Sequence, residues 1–137
     1  MSAEVRLVRY LRFVVERHDD ESGFRQGFVQ AAAELQSRGD IPQREVDRLE
    51  HIFGWFKQNL VVPTRFGRKR NAAHKNSRGL SWFKDTAKEH IGRAREIAEI
   101  LEAYGCPVRM IVTDRPGYIV YEDEHQVVAE PFSETGT

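Results

Sequence analysis

The sequence predicts an α+β fold: four helices packed on a C-terminal three-stranded antiparallel sheet, a meander. Three observations carry it. Apolar residues recur at helical spacing over most of residues 5–104, Pro107 closes that regime, and the chain beyond it alternates with a period of two. The 137 residues suffice for one domain with a real core, so residues 1–137 are read as a single domain.

The first predicted helix rests on Leu7, Leu11, Val14 and Val15, widened by Val5, Val8 and Tyr10, and ends near His18. The second is capped by Ser22, buries Phe24, Phe28, Ala31, Ala32 and Leu35, and stops at Gly39. Asp40 as N-cap and Pro42 in the first turn open the third, whose face is Val46, Leu49, Ile52, Phe53, Phe56 and Leu60. Residues 61–79 hold no period and read as a long basic surface loop. The fourth helix, Ser81 to Tyr104, presents Phe83, Ala87, Ile91, Ala94, Ile97 and Leu101 and ends at Gly105. Gly92 inside it costs about 1 kcal/mol against Ala unless a neighbour packs closely there. Strands follow at 108–113, at 117–121 after a Pro116-Gly117 turn, and at 126–130, with 133–137 as a flexible tail. Phe28, Leu35, Leu49, Phe53, Phe56, Ile91, Leu101, Val112 and Tyr121 form the expected core.

Composition narrows the function classes. At 40% hydrophobic and 31% charged residues the chain is ordinary for a globular protein, and no apolar run approaches the roughly 20 residues a bilayer span needs. Arg6, Arg9 and Arg12 interrupt the apolar N-terminus that a signal peptide would require, so a cytoplasmic chain without membrane contact is expected. The single Cys106 excludes an internal disulfide and a CxxC metal knuckle. P-loop, dinucleotide, zincin and nucleophile-elbow motifs are all missing, so no cofactor is expected and the chain reads as a binding protein rather than an enzyme.

A zero net charge conceals strong segregation. Residues 51–84 carry eight Lys or Arg and no acid, whereas residues 114–137 carry one base and six acids. Such polarity attracts an anionic partner, or lets the acidic end neutralise the basic loop within one molecule. Arg65, Arg68, Lys69, Arg70, Lys75 and Arg78, with His74, offer many contacts to phosphate oxygens, and Trp82 could stack on a base if exposed or pack in the core. These eight residues are the candidate nucleic-acid or anion site.

The acidic knot Tyr121-Glu122-Asp123-Glu124-His125 has two readings. Glu122, Asp123 and Glu124 are candidate metal ligands, with His90 or His125 beside them in a hydrolase. Four polar residues between two apolar strands are also what a solvated turn looks like. A metal-dependent nuclease lacks its Lys, since Glu130 is followed by Pro131 and Phe132. An EF-hand register through Gly39, Ile41 and Glu45 fails because Arg38 falls where calcium must sit.

The segments WFKQNLVVPTRF, SWFKDTAKEHI and PGYIVYEDEHQVVAEPF resemble a group of uncharacterised small bacterial proteins. The resemblance covers roughly residues 45–132. It implies a bacterial or phage cytoplasmic setting and carries no activity or site residue onto this chain.

The expected function is therefore non-enzymatic: a regulatory or binding protein, monomer or homodimer, that contacts RNA or DNA backbone through residues 65–78. The alternative is an inhibitor, immunity or adaptor protein for an acidic partner protein, with a metal-dependent hydrolase as the third reading.

Overall fold

The computed structural model describes residues 8–18, 25–61 and 79–132, the side chains of residues 17, 18, 25 and 26 excepted. Along the chain these form β1 (Tyr10–His18), β2 (Arg25–Gly27), α1 (Phe28–Arg38), α2 (Gln43–Asn59), β3 (Leu80–Lys84), α3 (Lys88–Ala103), β4 (Val108–Thr113), β5 (Tyr118–Glu122) and β6 (Gln126–Glu130). The α+β class holds, but among the described residues three helices, not four, pack on a sheet five strand positions wide.

All strand pairs are antiparallel. One edge of β1 is covered by β4, from Tyr10↔Thr113 to Val15↔Val108. Its other edge is shared: β3 pairs at Tyr10 and Leu11, and β2 takes over from Val14. The order across is thus β4, β1, then β3 with β2 beyond it on the same side, then β6 and β5. The three C-terminal strands lie where predicted, yet they are no meander, since β4 pairs β1 on the far side of the sheet while β5 and β6 form a hairpin.

Two predicted helices are corrected. The segment expected as the first helix contains β1, because Leu11, Phe13 and Val15 point to one face and Val14, fully buried, to the other. A strand buried on both faces reads as a continuous apolar run, which helical spacing also fits. The expected fourth helix begins late: Leu80–Lys84 is a strand, a turn follows over Asp85 and Thr86, and α3 starts at Lys88. The second predicted helix also shortens, to Phe28–Arg38, while its expected cap Ser22 lies outside the described residues. Asp40 does not cap α2; its carboxylate accepts from Arg38 at 2.9 Å.

The main core fills the helix-bearing face of the sheet. Leu11, Phe13, Val15 and Phe83 meet Phe28 and Leu35 of α1, Leu49 and Ile52 of α2, and Ile91, Ile97 and Leu101 of α3. Burial of each such side chain contributes roughly 1.5–3 kcal/mol. A smaller cluster of Leu80, Trp82 and Val127, with Tyr10 and Ile111 against it, lies on the opposite face. Val112, an expected core residue, is exposed because β4 is an edge strand, and Tyr121, Phe53 and Phe56 are only partly buried.

No helix among the described residues is long and apolar enough to cross a membrane.

Candidate functional site at the root of the basic segment

Arg65, Arg68, Lys69, Arg70, His74, Lys75 and Arg78 lie outside the described residues, as do 62–78 as a whole and 133–137. What is described is the scaffold from which the segment departs, at Val61, and to which it returns, at Gly79. Trp82, the eighth member of the candidate set, is 1% exposed within β3. It belongs to the core and stacks on no base in this arrangement, and the start of a helix is not its setting. Lys84, the last base of the acid-free stretch 51–84, is held by Glu122 through a 2.6 Å ion pair.

The departure point is fixed by a polar seam between the end of α2 and the β5–β6 turn. Gln126 is buried at the start of β6, and its side-chain amide donates to the Val61 carbonyl at 2.6 Å and to Asp123 Oδ2 at 3.1 Å. His90, buried on α3, contacts the Asn59 carbonyl through Nε2 at 2.7 Å. A carbonyl only accepts, so Nε2 carries the proton in that contact. The His90 bond, from α3 to α2, satisfies the carbonyl of Asn59, the last residue of α2, which the helix itself cannot, and the Gln126 bond holds the chain two residues beyond.

Rings brace the seam. His125 stacks on His90 with centroids 4.3 Å apart, Trp55 meets His90 edge-on at 4.8 Å, and the Arg93 guanidinium sits 5.1 Å over Trp55. Lys57, Gln58 and Asn59 at the exposed end of α2 face Asp123, Glu124 and His125 across a shallow groove of about 470 Å³.

The acidic knot is a built turn. Asp123 Oδ1 accepts from the backbone N–H of His125 at 2.8 Å and of Gln126 at 3.1 Å, while Oδ2 accepts from Tyr121 Oη at 2.9 Å and from Gln126. Burial opposes the Asp123 carboxylate; the His125 N–H, the Gln126 amide, the Tyr121 hydroxyl and the Gln126 N–H outweigh it, and its pKa lies below the ordinary value. The same hydrogen bond, followed by desolvation and the carboxylate charge, raises the Tyr121 pKa. Of the three candidate metal ligands, then, Asp123 is engaged four times over and Glu122 is paired with Lys84, leaving Glu124 exposed beside His125 at 3.7 Å. Among the described residues no group of three or more His, Cys, Asp or Glu is placed to hold a metal.

The sign of the Asp123 shift gives a pH prediction. A depressed carboxylate pKa contributes stability that is present above the ordinary carboxylate range and is lost as pH falls through the folded value. Asp123→Ala is expected to cost about 2 kcal/mol at pH 7, because it strips acceptors from four donors. In urea melts, the smaller deficit of Asp123→Asn should narrow as pH falls below about 4; a deficit independent of pH would assign the effect to shape alone.

Gln126 carries no sequence signal of this role, since its side chain bonds a main-chain carbonyl 65 residues away. Compared with protein-family models, curated proteins and solved structures, the chain has no match.

Proposed function

We propose that this protein binds nucleic-acid backbone through residues 62–78, using the α2–β6 seam as a fixed root. The charge segregation of the chain carries the reading: six of those seventeen residues are Lys or Arg and none is acidic. A run of this composition supplies sequence-tolerant contacts to phosphate, which position a duplex or strand without reading its bases. The seam adds that the segment leaves a rigid scaffold, held at Val61 by Gln126, and that Lys57, Gln58 and Asn59 offer exposed donors beside its origin.

Fluorescence anisotropy of labelled single- and double-stranded RNA and DNA over a salt series tests this. The expected log–log salt slope is about −3 to −5, the value for four to six neutralised phosphates. Absence of binding at low salt would overturn the reading in favour of a protein partner, for which the edge strand β5, with Tyr118 and Ile119 exposed, provides a surface.

A further inference from the structure

The groove between the end of α2 and the β5–β6 turn contains a ring whose position is fixed. The His125 N–H donates to Asp123 Oδ1 at 2.8 Å, and the His125 carbonyl accepts from the Lys84 N–H at 2.9 Å. One face of its imidazole rests on His90, with centroids 4.3 Å apart and an interplanar angle of 29°. His90 is itself buried, set against Trp55 and bonded to the Asn59 carbonyl. The His125 side chain is nevertheless 35% exposed and lines the groove. A ring held this firmly loses little conformational entropy when another flat group stacks on it.

The polar side chains around the ring fall into two sets. Asn59 donates its amide to the Trp55 carbonyl, and Asp123 is occupied by its four donors. Lys57 and Gln58, both exposed, form no ion pair or side-chain hydrogen bond among the described residues, and Glu124, 87% exposed, has only His125 beside it. A cation, an amide and a carboxylate are thus uncommitted around one fixed ring. Val61, from which the basic segment departs, lines the same groove.

We propose that this groove holds one unpaired base of a single-stranded nucleic acid, stacked on the face of His125 away from His90. The inference rests on the nucleic-acid reading and gives it a substrate class. A base within a duplex has both faces covered, so only an unpaired base can present a face to the ring. Glu124 accepts from the N–H that each base carries on its pairing edge, Gln58 supplies a donor and an acceptor there, and Lys57 on the opposite wall meets the flanking phosphate. Every base has a π-face and such an N–H, so the site selects single strands without selecting sequence.

Anisotropy with labelled oligo-dT of about twelve nucleotides, within the ~4–16 that single-strand sites span, and with the matching dA·dT duplex tests this. His125→Ala is expected to weaken oligo-dT binding about tenfold, the loss of one stacked base, and to leave duplex affinity within about twofold and the salt slope unchanged. His125→Phe, which keeps a flat ring on His90, is expected to retain wild-type affinity for the single strand. Unaltered oligo-dT affinity in His125→Ala, an equal loss on strand and duplex, or a His125→Phe protein as weak as the alanine variant would each overturn the stacking site. Those results leave the backbone reading standing, because the wild type still binds; a wild type that binds neither form at low salt overturns both.

Discussion

Changing Arg68, Lys69 and Arg70 together to Glu is expected to lower nucleic-acid affinity by roughly 100-fold or more near physiological salt and to flatten the salt slope by about 2 to 3. The two effects have one cause. Each phosphate contact releases condensed counterion, so each lost contact removes about 0.7–0.9 from the slope, and the introduced carboxylates add repulsion on top. The three conservative exchanges, Arg68→Lys and Arg70→Lys with Lys69→Arg, keep the charge and are expected to keep the slope. A variant that loses affinity with an unchanged slope would show that the three residues act through something other than phosphate neutralisation. Lys84→Gln provides the contrast: paired with Glu122 across the sheet, Lys84 has no charge to spare and its replacement is expected to leave the slope alone. Circular dichroism of each variant checks that the helices and sheet persist.

The seam gives this prediction a structural partner. Gln126 holds the Val61 carbonyl, and His90 the Asn59 carbonyl, at the point where the basic segment begins. A segment rooted on a rigid scaffold loses less conformational entropy on binding than one attached through a loose hinge. Composition alone made the basic run legible, because the exclusion of acids over residues 51–84 is a property of the sequence. The seam was not legible: Gln126 and Val61 are 65 residues apart, and a side chain that bonds a distant carbonyl leaves no periodic trace.

The same contrast runs through the fold. β4, β5 and β6 were readable because Pro107 and the Pro116-Gly117 turn bound short, β-branched, alternating segments. Their pairing was not, since β4 joins β1 through contacts that no turn specifies. β1 was misread because Leu11, Phe13, Val14 and Val15 are all buried, on two faces, and a run apolar on both faces fits a helix as well as a strand. β3 was misread because Phe83 and Ala87 lie four apart and extend the stripe of α3 backwards through the turn at Asp85. In the acidic knot the solvated-turn reading described the local shape, while the engagement of Asp123 by Tyr121 and Gln126 needed coordinates.

Gly117→Ala is expected to destabilise the protein by about 3 kcal/mol or more, a large share of the 5–15 kcal/mol that holds a domain of this kind. Gly117 has φ +134°, outside the range L residues adopt at low cost, and that alone contributes about 1–3 kcal/mol. Sterics add to it. A Cβ at this position would overlap the Glu130 carbonyl, lying 2.6 Å from its carbon and 2.8 Å from Pro131 Cα. These are backbone atoms at the end of β6, opposite the start of β5, so relief requires the hairpin to open rather than a side chain to turn aside. The neighbourhood resists that opening: Pro116 is buried, Tyr118 meets Phe132 edge-on at 4.6 Å, and Arg115 lies 5.0 Å over the Phe132 ring. Gly92→Ala is the control of opposite sign. Gly92 is exposed in the interior of α3, and a Cβ there meets nothing within 4 Å, so the exchange should add about 0.5–1 kcal/mol through helix propensity. Thermal melts should therefore separate the two alanine variants by about 10 °C or more, at roughly 3–5 °C per kcal/mol for a chain of this length. A Gly117→Ala protein that melts with the wild type would mean that the β5–β6 hairpin is not joined at its open end as described.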